Sequence, residues 1–197
     1  MTTAASPRLI LFLLSILLSV SACRSMTPQS FATAGPRFEP EKYFEGQTHS
    51  WGVLENPRGN PISTFRAELT GRRIGSELEI SQTFHWSDGR IEVRTWRVRR
   101  LDEHRYEATA NDVVGRSTGE AYGNVFRWEY TLAGATFLTN VRFHLWMYLM
   151  EDGETMINRV NITKFGVVVG RTTEYFRRGP GPASLSGKSV TNATVTE

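Results

Sequence analysis

A serine in the pattern of a hydrolase nucleophile is the first residue of this chain that could do covalent chemistry. Ser117 lies in the segment Gly-Arg-Ser-Thr-Gly at residues 115–119, which matches the GxSxG pattern of serine hydrolases. In those enzymes the serine stands on a sharp turn that leads from a strand into a helix. Here the neighbouring residues predict a glycine-rich strand or bulge with no helix after it. We therefore expect a structural role for Ser117 and assign no catalytic residue.

The titratable residues show no metal-binding pattern. None of the four histidines stands at metal-ligand spacing from another histidine or from the cysteine, so we predict neither a metal nor a cofactor. An enzyme would need two coupled titratable groups, and Asp112 with His144 is the pair that could supply them. The alternative that we favour makes Asp112 a backbone hydrogen-bond partner beside a bulge at Gly115. His144 would then be a hydrogen-bonded residue of the wall.

Five arginines concentrate the positive charge of the chain: Arg94, Arg97, Arg99, Arg100 and Arg105. The simpler interpretation is a solvated strand face. The alternative places Arg94 inside a barrel, where its planar guanidinium would bind a ligand carboxylate or phosphate through two parallel hydrogen bonds. Lys164 is a second candidate partner for such an anion.

Aromatic side chains could line the ligand cavity that this alternative requires. Most aromatic residues are expected in the core, and Trp96, Trp128 and Trp146 are candidates for the cavity wall. Asn124 is a further polar candidate. It follows Gly123, and we expect it to complete a hairpin turn.

The only cysteine, Cys23, indicates lipid attachment. It follows Val20-Ser21-Ala22 and an apolar stretch at residues 9–20, which is the layout of a bacterial lipoprotein signal. That stretch is too short for a membrane-spanning helix, which needs about 20 apolar residues. We therefore predict a signal peptide at residues 1–22 and diacylglycerol and palmitate chains on Cys23. A membrane span, or secretion with a free thiol, is the alternative.

A lipidated Cys23 would hold the protein on a membrane, because more than one acyl chain gives stable anchoring. Arg24 occupies the position where an aspartate commonly retains lipoproteins at the inner membrane. We therefore expect the periplasmic side of the outer membrane of a bacterial envelope. The net charge of +3 suits anionic head groups and is too weak to indicate nucleic acid.

Alternating apolar residues predict β-strands through most of the chain. The clearest run, at residues 126–132, alternates apolar residues with Arg127, Glu129 and Thr131. About nine or ten antiparallel strands with short turns predict a single all-β barrel of lipocalin or fatty-acid-binding type, because closure removes exposed strand edges. We place a lipidated tether at residues 23–37, the barrel at 38–178 and a disordered tail at 179–197.

The turn at Asp88-Gly89 makes a specific prediction about register. A two-residue loop would pair Trp86 with Ile91 and would leave Trp96 on the outer face. A one-residue bulge near Thr95 would return Trp96 to the inner face. We predict that bulge, and with it Phe84 and Trp96 on the same face.

Several segments of the barrel region carry a family resemblance: Tyr43-Phe44-Glu45-Gly46, Asp112-Val113-Val114-Gly115, Trp146-Met147-Tyr148-Leu149 and Lys164-Phe165-Gly166. They resemble a bacterial lipoprotein family known as domain of unknown function 3833. The resemblance implies a lipid-anchored envelope protein with a calycin-like barrel and no assigned chemistry. The chain departs from the family pattern at His144-Leu145, where an acidic pair is common.

Three functions follow as hypotheses. A lipid-anchored barrel that binds a hydrophobic or acyl ligand would need a cavity with a buried cation. A non-catalytic interaction or assembly protein on the membrane surface would need an exposed apolar patch. An enzyme or lipid-modifying accessory would need coupled titratable groups in a cleft.

Overall fold

The computed structural model describes residues 26–134 and 139–181. The predicted signal peptide, Cys23 and most of the predicted tail lie outside these residues. Two short helices, a 3-10 helix at Pro28–Phe31 and α1 at Pro40–Tyr43, precede the strands. The strands are β1 (Gly46–Glu55), β2 (Pro61–Ile74), β3 (Glu77–Trp86), β4 (Ile91–Arg100), β5 (Arg105–Ala110), β6 (Ser117–Tyr122), β7 (Val125–Leu132), β8 (Val141–Leu149), β9 (Thr155–Lys164) and β10 (Val167–Arg178). In this part of the chain, no helix has the length and apolar character to cross a membrane.

The strands form one closed antiparallel barrel in which each strand pairs with its neighbours in sequence. β1 pairs with β10 to complete the closure, and Trp51 stands opposite Tyr175 there. The pairing register shifts between Val168 and Gly170, where β10 leaves the regular ladder with β9. The all-β barrel predicted from alternation is confirmed.

Side chains of each strand point alternately into and out of the barrel, because successive residues face opposite sides of a sheet. On β7, Trp128 and Tyr130 are buried while Arg127 and Glu129 lie on the outer side. Trp96 contacts both inner aromatic rings edge to face, at centroid distances of 6.1 Å to Trp128 and 5.1 Å to Tyr130. The inner wall is therefore largely aromatic and aliphatic.

Residues 38–44 close one end of the barrel. Phe38, Tyr43 and Phe44 are buried, and the Tyr43 ring meets its two neighbours edge to face at 5.5 and 5.0 Å. Gly71 on β2 makes the approach possible, since a Cβ on it would lie 1.8 Å from the Phe44 carbonyl oxygen. We call this end the capped end.

The described part of the predicted tether lies against the barrel. Phe31 packs on the outer face of β8, with centroid distances of 6.4 Å to Trp146 and 6.0 Å to Tyr148. Gly123, with a φ of +53°, admits the Phe31 carbonyl oxygen where a Cβ would stand 1.8 Å away. The domain boundaries stay predictions, but residues 28–31 do not extend freely from the barrel.

The hairpin between β3 and β4 differs from the prediction of a bulge. Trp86 and Arg90 are joined by a hydrogen bond from the Trp86 amide, so the loop has three residues, Ser87 to Gly89. Pairing then continues without a shift, with Ile80 opposite Trp96. The prediction of a bulge near Thr95 is wrong, because the extra residue lies in the turn, where Gly89 adopts a φ of +86°. Phe84 and Trp96 do share the inner face.

Candidate ligand-binding cavity

The barrel encloses a cavity of about 310 Å³. It extends from Pro40 and Phe44 at the capped end to Arg90 and Glu92 at the opposite end, which we call the mouth. The mouth lies at the β1–β2, β3–β4, β5–β6 and β9–β10 connections. Most of the lining is apolar: Phe65, Leu69, Leu78, Ile80, Phe84, Trp96, Val98, Trp128, Leu145, Val160 and Ile162.

Arg94 supplies a positive charge to this wall. It is 7% exposed, and its Nε lies 2.8 Å from Oδ1 and 2.9 Å from Oδ2 of Asp112. Its Nη2 lies 2.8 Å from the same carboxylate, and Nη1 donates to the Tyr130 hydroxyl at 3.3 Å. The guanidinium also stands over the rings of Phe84 and Trp96, 5.6 Å from each centroid. Arg94 therefore lies where the ligand hypothesis requires a cation.

The partners of Arg94 keep it charged. Burial by itself would lower the pKa of Arg94, but the oxygens of Tyr130 and Asp112 raise it above the usual range for arginine. Burial raises the pKa of Tyr130 to about 12, so its hydroxyl stays protonated at neutral pH. The cavity thus contains a permanent cation that is paired with one carboxylate.

Glu174 is a second buried ionisable group, and the sequence reasoning missed it. It is 6% exposed on β10; Ser50 donates a hydrogen bond to it at 2.7 Å and Asn158 another at 3.2 Å. Burial raises the pKa of Glu174 to about 7, against the lowering effect of these two donors. The signal was available, because Glu174 stands two residues before the inward-facing Phe176.

Gln82 offers hydrogen-bonding capacity that no described residue uses. It is buried and lines the cavity, and its side chain makes no hydrogen bond to any residue that the structure describes. Gln82 stands directly opposite Arg94 in the pairing of β3 with β4. The two side chains therefore form one polar spot on an apolar wall.

The other predicted ligand residues divide between the two sides of the wall. Trp96 and Trp128 line the cavity. Trp146 does not, because it lies on the outer face of β8, where Phe31 covers it. Lys164 is the last residue of β9 at the mouth and is not part of the lining, so it stands apart from Arg94.

The predicted catalytic pair does not form. Asp112 is bound to Arg94 on the inner side, whereas His144 faces outward from β8. There its Nε2 lies 3.1 Å from the Thr163 hydroxyl and its Nδ1 lies 3.3 Å from Glu129. Burial would raise the pKa of Glu129, but His144 and neighbouring arginines hold it below its usual value. Asp112 thus pairs with a side chain and not with the backbone beside Gly115.

Ser117 and Asn124 occupy structural positions. Ser117 begins β6, and the next element is β7, so no strand-to-helix turn presents its hydroxyl. That hydroxyl is fully buried with no hydrogen-bond partner among the described residues. Asn124 lies in the two-residue turn between β6 and β7 and donates from Nδ2 to the Leu149 carbonyl at 3.0 Å. Within residues 26–134 and 139–181, no group of three or more His, Cys, Asp or Glu side chains is arranged to hold a metal.

Comparisons with solved structures identify other barrel proteins. An S-type phycobiliprotein lyase from Guillardia theta is 6% identical, with a TM-score of 0.51 over 79% of this chain and 99% of that one. A redesigned β-barrel bound to DFHBI is 12% identical, with a TM-score of 0.37 over 70% of this chain and 97% of that one. At 6% identity, the likeness to the lyase shows a common barrel fold and nothing about chemistry.

Comparison by sequence finds fewer matches than comparison by structure. No curated protein matches the chain. One family model, described as "Protein of unknown function (DUF3833)", matches residues 17–178. That range includes all ten strands and all four segments that carry the resemblance. The chain therefore belongs to the DUF3833 family.

Proposed function

We propose that this protein is a lipid-anchored lipoprotein of the bacterial envelope that binds an acyl chain inside its barrel. The observation that carries the proposal is the cavity of about 310 Å³, with apolar walls and a buried arginine. Cavities of about 300–1,000 Å³ with few polar groups are typical of small-molecule sites. An acyl chain suits these walls, since each methylene removed from water contributes about 0.8 kcal/mol.

The polar spot at Arg94 and Gln82 is the site for the head group of such a ligand. The contacts with Asp112 and Tyr130 leave part of the guanidinium N–H groups free. These groups and the unpartnered amide of Gln82 can donate to a ligand oxygen. An alkane would leave them unpaired, which is costly in a buried site.

The charges around Arg94 favour a neutral head group. Asp112 already balances the arginine, and Glu174 is close enough for Arg94 to influence its pKa. A free carboxylate would therefore bring an additional negative charge into a low-dielectric site. An acyl ester or an acyl alcohol supplies the oxygen without that charge, so we assign the ligand to this class.

The anchor in this proposal is Cys23. Its support is the lipoprotein-like layout of residues 9–23 and the absence of any other cysteine. In a chain anchored at Cys23, the capped end would lie nearest the anchoring membrane, because residues 28–31 lie against the outer wall near Gly123. The periplasmic side of the outer membrane is the proposed location.

Ligand binding is tested with matched probes on the purified full chain. Native mass spectrometry after incubation with methyl palmitate, hexadecanol, palmitic acid or hexadecane measures occupancy directly. We expect the ester and the alcohol to bind more tightly than the acid, and the alkane most weakly. Failure of all four to bind a chain that circular dichroism shows to be folded would overturn the binding function. Equal binding of hexadecane would overturn only the head-group assignment.

Lipidation is tested separately, on protein made in a bacterial host. We expect the mature N-terminal residue to be Cys23 with added acyl mass, and a Cys23→Ser chain to lack that mass. An unmodified Cys23 would contradict the anchor and would not affect the binding result.

A further inference from the structure

Large apolar side chains stand exposed at several points around the mouth, including Ile91 and Val114, and four of them share one side. These four are Ile62 at the start of β2 and Phe165, Val167 and Val169 in the β9–β10 hairpin. We call these four residues the lip. Exposed apolar residues that stand singly need no explanation, whereas a cluster at the opening of a cavity marks an interaction surface.

The hairpin that carries most of the lip projects past the rim. β1 ends at Glu55, which stands opposite Arg171 of β10. Residues 167–170 of β10 therefore have β9 on one side and no strand on the other. Ile162 on β9 lines the cavity, so the apolar surface continues from the lip into the barrel.

Phe165 at the tip is exposed and conformationally strained. It is 80% exposed and has a φ of +50°, the only positive φ of a non-glycine residue in the described part of the chain. Phe165 and Gly166 form a two-residue turn with positive φ at both positions, where asparagine and glycine are preferred. Neither folding nor solubility accounts for a bulky aromatic residue here, so the tip points to a binding role.

Cations flank the lip. Lys164 precedes Phe165, Arg171 follows the hairpin, and Arg58 lies in the adjacent β1–β2 connection. None of the three forms an ion pair with a described residue. The nearest acidic residue in register is Glu55, opposite Arg171. The surface around the tip is thus apolar at its end and positively charged at its base.

We propose that the lip inserts into the head-group region of an anionic lipid bilayer and brings the mouth of the cavity to that surface. Aromatic side chains favour the interface between lipid and water, and basic residues behind them are attracted to anionic head groups. The lip lies at the end opposite the capped end, so in a chain anchored at Cys23 it would face away from the anchoring membrane and would meet a second bilayer. This proposal goes beyond ligand binding, and its failure would leave the proposed ligand binding unaffected.

The single cysteine makes a local test possible. Both test chains are full-length and contain Cys23→Ser. In the first, Phe165→Cys provides the only cysteine for an environment-sensitive fluorophore. In the control chain, Ser76→Cys in the β2–β3 turn provides it instead. We expect vesicles of phosphatidylcholine with phosphatidylglycerol to shift the emission at residue 165 to shorter wavelength and to leave residue 76 unchanged. The readout is local, so attachment of the N-terminal apolar segment to vesicles does not imitate it.

Charge removal completes the test. Lys164→Gln with Arg171→Gln, added to the chain labelled at residue 165, should raise the lipid concentration that gives half of the emission shift about tenfold to thirtyfold. Arg72→Gln with Arg97→Gln removes the same charge away from the lip and should leave binding unchanged. No shift at residue 165, an equal shift at residue 76, or a shift that depends on protein concentration without vesicles would overturn the proposal. The last result would indicate contact with a second copy of the chain.

Discussion

Arg94 and Asp112 form an ion pair at the wall of the cavity, with Nε and Nη2 of the arginine each within 2.8 Å of a carboxylate oxygen. The arginine is buried, whereas the Asp112 side chain is 34% exposed. The pair therefore keeps a cation inside an apolar barrel and connects it to the solvent at the mouth. A ligand that enters there meets a charge that is already balanced.

Asp112→Asn should leave Arg94 buried without its anion. Because the aspartate is partly exposed, we expect a loss of about 1–3 kcal/mol in the free energy of unfolding, less than for a fully buried pair. A ligand carboxylate can replace the missing charge, so palmitic acid should stabilise this variant more than methyl palmitate does. The melting temperature of the variant with each ligand shows whether the preference for the ester over the acid is reversed. A variant that keeps the preference for the ester would contradict our view of the charge balance.

Glu174 should make stability fall as the pH rises through neutrality. Its folded pKa of about 7 exceeds the unfolded value of about 4.3, so the folded state binds more protons between these values. The stabilisation is fully present below the unfolded pKa and is lost as the pH rises to the folded pKa, in total about 4 kcal/mol.

The comparison that isolates this effect is between the native chain and Glu174→Gln. Melting temperatures measured at about pH 5 and about pH 8 should differ more in the native chain. Glu103→Gln, at an exposed position, is the control. Equal pH dependence in the native and Glu174→Gln chains would show that Glu174 does not titrate in this range.

Filling the cavity should block binding without unfolding the barrel. Val160 lines the cavity, so Val160→Phe places added carbon atoms where an acyl chain would lie. Val93→Phe is the matched control, because Val93 is exposed on the outer face of β4. We expect a loss of at least about tenfold in ligand affinity for the first variant and none for the second. Native mass spectrometry with methyl palmitate measures both, and similar affinities would place the ligand outside the barrel.

Phe165→Asn should raise the free energy of unfolding by about 1 kcal/mol. Asparagine tolerates the positive φ of this turn, whereas a bulky side chain is strained there. Alanine lacks the short polar side chain with which asparagine hydrogen-bonds locally in this conformation, so Phe165→Ala should give little gain. Chemical denaturation compares the three chains. If the asparagine variant were not more stable, the native turn would not be strained, and one argument for the lip would be lost.

The inner face of the barrel was predictable wherever apolar and polar residues alternate. That pattern placed Trp128 inside, where it is found. An interior Arg94 was only the alternative to a solvated strand face, and the structure buries it. It failed at the β3–β4 turn because a two-residue and a three-residue loop look alike in sequence yet differ by one step in register. In the structure the loop has three residues, and its last residue, Gly89, has a positive φ.

Other features depend on contacts that local patterns do not contain. Trp146 looked like a lining residue, but its strand has apolar side chains on both faces and Phe31 covers the outer one. Alternation with Phe176 places Glu174 on the inner face, but Ser50 and Asn158, which meet it from neighbouring strands, cannot be found from the local pattern. The exposed aromatic tip at Phe165 is likewise apparent only after the hairpin is seen to extend past β1.

The pairing of β1 with β10 also has a kinetic consequence. These strands lie at opposite ends of the domain, so their contact has a long sequence separation and a high loop-closure entropy, and such contacts form late in folding. Until they form, the wall has an open seam between Ser50 and Glu174, and the cavity does not exist as an enclosed space. A chain whose last strand has not yet paired can therefore make most of its hairpins but has no enclosed cavity. Under the proposed function, an acyl ligand could be enclosed only after β10 pairs with β1.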